Sequence, residues 1–193
     1  MQSITVFCGA SEGYNEIYRE VAYSIGSMLA AKGIAIVYGA ARTGIMGAVA
    51  EGALQNGGKV TGVIPHFLVN KELVHAGLTE LITVDTMHER KMHMHRLSEG
   101  IIALPGGWGT MEELFEVLTW SQLGLHKYPI GVLNVNGYYD ALRVLCNNMV
   151  QEGFLDECVA SSLIFTEDPE ELLQLMEQYT PPPVPTWLTE RTA

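Results

Sequence analysis

The chain has 193 residues and a net charge of −11, with 48 % apolar and only 17 % charged residues. That length suits one domain of ordinary size with a substantial core, and the acidic balance excludes broad electrostatic binding to nucleic acid or to an anionic membrane surface. Any anion must be caught by a local site, and Arg42, Arg90, Lys91 and Arg96 fall in or beside two of the motifs described below.

Cys8, Cys146 and Cys158 are widely spaced and form no CxxC pair. Neither a disulfide framework nor a zinc site is expected, and a reducing cytoplasm is the expected compartment. The N-terminus, MQSITVFCGAS, enters a strand pattern with no basic leader. No apolar run approaches the roughly 20 residues of a membrane span.

Ile4–Cys8 reads as a buried parallel strand ending at Gly9-Ala10-Ser11. Residues 15–32 carry Ile17, Val21, Ile25 and Met28/Leu29 at helical spacing, with Gly33 just past the end as a cap. A second strand over Ile34–Tyr38 runs into the glycine turn GAARTGIMG at 39–47 and a helix to about Gln55. Val60–Ile64 is a third strand, residues 66–78 read as a loop with one helical turn, and Leu81–Val84 is strand-like. The segment from Thr86 to Glu99 reads as helix. Ile101–Leu104 is a fifth strand, followed by the turn Pro105–Gly109 and a helix expected to begin at Thr110 and run to about Leu123. Ile130–Val135 is a sixth strand with a helix from Tyr138 to about Gln151, and Ser162–Phe165 and 169–178 supply a last strand and helix. The Pro-rich tail 181–193, with Trp187, has no helical or strand period and reads as extended or unstructured. The folded domain is thus expected over residues 1–180.

Strands alternating with helices predict an α/β domain with a mostly parallel sheet. Loops that follow the strands then share one edge, where such sheets bind ligands. Both glycine turns, 39–47 and 105–109, belong to that edge, which points to a nucleotide site. In the first turn, Gly39, Arg42, Thr43 and Gly44 are candidate phosphate or ribose contacts; alternatively, its glycines only let a helix pack on the sheet. It matches neither GxGxxG nor GxxxxGK[ST], and no acid ends a nearby strand as a dinucleotide ribose contact requires.

His88-Glu89 followed by His93 resembles HExxH with one residue too many. Five residues turn a helix by about 140°, so the two imidazoles do not share a face. No metal or organic cofactor is expected. Only Lys91 among the lysines lies near the loop edge, which disfavours pyridoxal chemistry, and Cys8 reads as a small core residue. Thr110-Met111-Glu112-Glu113 fits a capping box. Glu113 therefore has two readings: a helix cap, or a carboxylate within one side chain of whatever the turn holds.

MHERK at 87–91, PGGWGTMEE at 105–113, TWSQLG at 119–124 and LNVNGYYD at 133–140 together resemble the LOG family, the cytokinin riboside 5′-monophosphate phosphoribohydrolases and their bacterial relatives. The resemblance runs from FCGAS to about residue 178. It implies a Rossmann-like, three-layer fold and a homodimer with active sites near the subunit interface. The reaction implied is hydrolysis of the N-glycosidic bond of AMP or an N6-substituted AMP, giving free base and ribose 5-phosphate. By the same resemblance the catalytic pair falls on Arg90 and Glu113. Substrate binding falls on Glu72, Met87, Lys91, the turn Gly106, Gly107, Trp108, Gly109 and Thr110, then Glu112 and Thr119. The chain departs from the family's usual GGG at Gly39-Ala40-Ala41, from its usual tyrosine at Trp108 and from its usual leucine at Met111.

The chemistry agrees with that assignment. Breaking an N-glycosidic bond builds positive charge on the ribose, which a carboxylate can stabilise while activating water. The competing reading is a nucleotide-binding sensor or carrier that uses the same turn without turnover. A dehydrogenase is disfavoured by the missing ribose-binding acid.

Overall fold

The computed structural model describes residues 1–69 and 74–183. Seven strands, β1 (Ser3–Phe7), β2 (Ala35–Tyr38), β3 (Val60–Pro65), β4 (Glu80–Val84), β5 (Ile101–Ala103), β6 (Ile130–Leu133) and β7 (Leu163–Thr166), form one sheet in the order β4-β3-β2-β1-β5-β6-β7. All six pairings are parallel, so the sheet is wholly rather than mostly parallel.

Side chains alternate between two helical layers. Ile4, Val6 and Cys8, Ile36 and Tyr38, and Ile102 and Leu104 face a core shared with α1 (Ile17–Ala31), α2 (Gly44–Gln55) and α8 (Pro169–Glu177). Phe7, Val37, Ile101 and Ala103 face the opposite core, with α4 (Met87–Arg96), α5 (Trp108–Gln122) and α6 (Asp140–Gln151). Burial on both faces is why these strands read as continuous apolar runs. Thr5, in the middle of β1, is the polar exception. Its hydroxyl bonds the Met94 carbonyl (2.9 Å) and the Ser98 hydroxyl (2.6 Å), joining the central strand to the end of α4.

The expected elements are present with shifted ends. The single turn after β3 is α3 (His66–Val69), and a short α7 (Glu157–Ala160) precedes β7 without having been expected. The α4 helix closes at Arg96 rather than near Glu99, and α6 opens at Asp140 rather than Tyr138. The consequential shift is in α5. It begins at Trp108 with Gly107 as N-cap, so Thr110 lies inside the first turn and caps nothing. Residues 184–193, with Trp187, lie outside the described residues.

Chain order diverges at the centre of the sheet. From β1 the chain moves outward through β2, β3 and β4, then returns through α4 to β5 and moves outward the other way. The loops leaving β1 and β5 therefore part and leave a crevice between them, as at any topological switch point.

The α1 and α2 helices approach closely because each gives the other a glycine. A methyl group on Gly26 would collide with the Val49 carbonyl, and one on Gly52 with the Tyr23 carbonyl. Alanine's helix propensity alone would favour Gly52→Ala by about 1 kcal/mol. The collision is with backbone, so we expect the opposite sign: a loss of about 1–3 kcal/mol in urea denaturation. A variant as stable as wild type would mean that the two helices part without cost.

Candidate active site

The crevice holds a cavity of about 490 Å³, lined from the β1 loop (Cys8 to Gly13), from Gly39 after β2, and from Pro105, Gly106, Gly107, Gly109 and Thr110 after β5. The loops of β1 and β5 are fastened together where they part. The Gly9 amide donates to the Pro105 carbonyl (3.0 Å), and a methyl group on Gly106 would collide with the Gly9 nitrogen.

The two glycine turns differ in what their amides do. At the N-terminus of α2, Met46 N–H donates to the Gly9 carbonyl (3.1 Å) and Ile45 N–H to the Ser11 carbonyl (3.4 Å). That helix end is already satisfied by the β1 loop. At the N-terminus of α5, among the described residues, no protein acceptor takes the amides of Trp108, Gly109 or Thr110; the first helical bond is Met111 N–H to the Gly107 carbonyl (3.1 Å). Gly107 and Gly109 line the cavity, and a methyl group on either would meet nothing within 4 Å. Packing does not require glycine there. Its absence of a side chain instead leaves the amides open to a ligand at the positive end of the helix.

On the cavity wall lie Arg90 and Glu113, exposed by 6 % and 8 % respectively. The orientation of Arg90 starts with a capping box at the head of α4. The Thr86 hydroxyl accepts from Glu89 N–H (3.1 Å) while the Glu89 carboxylate accepts from the Thr86 and Asp85 amides. Thr86 and Glu89 thus form the box that the sequence suggested at Thr110 and Glu113. One residue later, Arg90 Nε donates to the Val63 carbonyl (3.0 Å) and Nη2 to the Gly39 carbonyl (3.2 Å). A methyl group on Gly39 would collide with the guanidinium, so this glycine is the space in which Arg90 lies.

Glu113 is not a cap. It stands on the second turn of α5, with Oε1 3.8 Å from Arg90 Nη1, too far for a hydrogen bond. Burial pushes its carboxyl up to about 7, against the pull of the Arg90 guanidinium. A carboxyl poised near neutrality beside a fixed guanidinium, on the wall of a cavity with a free helix end, is equipped for proton transfer. Cys8 also lines the cavity, but burial and the Glu113 carboxylate push its thiol far up, so it offers no thiolate nucleophile.

Other residues singled out in the sequence lie elsewhere. Lys91 is buried and donates to Glu112 (2.5 Å) and Glu116 (2.9 Å). Burial pulls its ammonium down, but those two bonds more than offset this and leave it raised. Neither Lys91 nor Glu112 lines the cavity, and Met87 and the exposed Thr119, whose hydroxyl bonds the Phe115 carbonyl (2.8 Å), do not either. Arg42 and Thr43 are exposed outside it. Gly44 is buried at φ 67° against Ala10, and of that turn's candidates only Gly39 lines the cavity. Trp108, at the first position of α5, is 92 % exposed. Glu72 lies outside the described residues. The sequence reading missed Glu12, Gly13, Tyr18 and Tyr138 as cavity lining. The first three follow β1 too far along to carry a strand-end signal, and only their place beside FCGAS hinted at them.

A family model described as "possible lysine decarboxylase" matches residues 46–176. The chain is 42 % identical over 178 residues to cytokinin riboside 5′-monophosphate phosphoribohydrolase LOG2 of Arabidopsis thaliana, covering 92 % of this chain and 84 % of that one. It is 45 % identical over 177 residues to probable cytokinin riboside 5′-monophosphate phosphoribohydrolase LOGL1 of Oryza sativa subsp. japonica, covering 92 % and 79 %. Among solved structures, the molybdenum cofactor binding protein of Rippkaea orientalis superimposes with a TM-score of 0.70 over 91 % of this chain and 95 % of that one. At 19 % identity that likeness concerns the fold alone.

The raised carboxyl has a thermodynamic signature. Because the folded state holds the Glu113 proton up to about pH 7 while the unfolded chain releases it near 4.5, stability is fully present below 4.5 and falls as pH rises through 7. Glu113→Gln removes that titration. Its stability relative to wild type should be unchanged at low pH, rise by up to about 3 kcal/mol between pH 4.5 and 7, and stay level above. Denaturation across pH checks this, and parallel wild-type and mutant curves would mean that Glu113 is not raised.

Proposed function

This chain belongs to the LOG family of phosphoribohydrolases, and we propose that it hydrolyses the N-glycosidic bond of AMP or an N6-substituted AMP to free base and ribose 5-phosphate. The observation that carries the reading is the juxtaposition of Glu113, buried and raised to about 7, with the unpartnered amides at the head of α5 on one cavity. A phosphate on those amides leaves the ribose within a side chain's reach of the carboxylate.

In this reading the C1′–N bond breaks with its electron pair going to the base, which is then protonated from solvent. Water adds its oxygen to C1′. One of its protons stays on the new hydroxyl and the other passes to the Glu113 carboxylate and on to solvent. While the ribose carries positive charge, the same carboxylate stabilises it. Arg90, with two of its nitrogens bonded to carbonyls, holds its charge beside Glu113 and lowers the cost of ionising it. No step calls for a metal or an organic cofactor.

We also read the protein as a cytoplasmic homodimer. Lys91, Glu112 and Thr119 lie off the cavity of their own chain, so a substrate role for them fits a site completed near a subunit interface. Among the described residues no helix is long and apolar enough to cross a membrane.

The test is incubation with AMP and with isopentenyl-AMP, followed by chromatography for the free base. Wild type should release base, with kcat rising with pH through about 7 because the general base must be ionised. Glu113→Gln should slow release by about 10²–10⁴-fold and abolish that limb. Nucleotide binding with no base released from either substrate would favour the sensor reading instead. Gly39→Ala, which displaces Arg90 without touching its charge, should lower kcat by about tenfold or more. Full activity in that variant would remove Arg90's placement from the mechanism.

A further inference from the structure

We propose that Tyr138 is a positioning residue for the anion turn, holding the peptide group between Gly106 and Gly107 so that its N–H, not its carbonyl, faces the ligand. The proposal rests on the phosphate role assigned above to the head of α5.

Three successive carbonyls lead into that helix, and each has a partner. Leu104 accepts from the Tyr139 hydroxyl (2.7 Å), Pro105 from the Gly9 amide (3.0 Å) and Gly106 from the Tyr138 hydroxyl (2.5 Å). In a trans peptide the C=O and the following N–H point in opposite directions. Fixing the Gly106 carbonyl on Tyr138 therefore fixes the Gly107 N–H the other way. With glycine on both sides, no Cβ resists a flip of this peptide. A flip would aim a carbonyl dipole at a bound anion, and the Tyr138 hydroxyl is the group that opposes it.

The tyrosine is held in place from the end of β6. Asn134 is buried; its side-chain oxygen accepts from Tyr139 N–H (2.7 Å) and its amide nitrogen donates to Asp140 (2.9 Å). Asn136 and Gly137 take left-handed conformations at φ 52° and 69°, turning the chain so that adjacent tyrosines both reach the β5 loop. The two rings meet edge-on at 4.9 Å, and Tyr18 backs Tyr138 edge-on at 5.8 Å. Tyr138 itself is 43 % exposed, so losing its hydroxyl leaves its packing in place.

The experiment titrates wild type and Tyr138→Phe calorimetrically with ribose 5-phosphate and, separately, with adenine. We expect about tenfold weaker binding of ribose 5-phosphate by the variant, unchanged affinity for adenine, and an unchanged Tm without ligand. Equal ribose 5-phosphate affinity in the two proteins would overturn the proposal while leaving the phosphate site standing. An equal loss for adenine would overturn it in favour of direct contact between Tyr138 and substrate. If wild type binds no ribose 5-phosphate, the phosphate site falls and the positioning role with it.

Discussion

Arg90 is bound before it reaches Glu113, and much of the site depends on that. An arginine with a free fork beside a buried carboxylate would close on it in a bidentate pair and hold it ionised well below neutrality. Here Nε and Nη2 are committed to the carbonyls of Val63 and Gly39, and the remaining nitrogen stops 3.8 Å from the carboxylate. The guanidinium is close enough to make a buried charge tolerable and too far to remove the proton's advantage. Burial then wins and the carboxyl sits near 7. The arrangement needs β2 and β3 side by side, with their C-terminal ends under α4, which the sheet order supplies.

The order of strands and helices was legible because the central strands are buried on both faces and glycine or proline punctuates most of the ends. The strand order was not, since pairing depends on contacts between distant segments that leave no local pattern. The identity of the catalytic candidates was legible only through motifs; their geometry was not. Two segments, Thr86-Met87-His88-Glu89 and Thr110-Met111-Glu112-Glu113, present the same T-x-x-E pattern. The first is a capping box and the second is not. Excluding Gly107 and Gly109 from the helix made Thr110 seem its first residue. Glycine costs about 1 kcal/mol inside a helix. Gly109 nevertheless stands at the second helical position, where its amide remains available and a side chain would intrude on the cavity.

Glycine content alone ranks the turns at 39–47 and 105–109 as equals, and both open helices at the same edge of the sheet. What separates them is where the backbone groups go. In the first, carbonyls of the β1 loop occupy the α2 amides, and Gly39, Gly44 and Gly47 make room for Arg90, Ala10 and Arg42. Every glycine there answers to a neighbour in the fold. In the second, Gly106 answers to Thr110 and Gly9, whereas Gly107 and Gly109 have open space before them and, among the described residues, the amides of Trp108, Gly109 and Thr110 have no protein acceptor. A buried polar group without a partner costs free energy, but these amides face a cavity that solvent or a ligand can fill. The helix dipole makes an anion the better occupant. In a chain of net charge −11, long-range attraction would not bring an anion in, so recognition of one would have to come from short hydrogen bonds whose directions are fixed in advance. Such a requirement agrees with carbonyls before the helix that are each tied down and amides after them that no protein acceptor takes among the described residues.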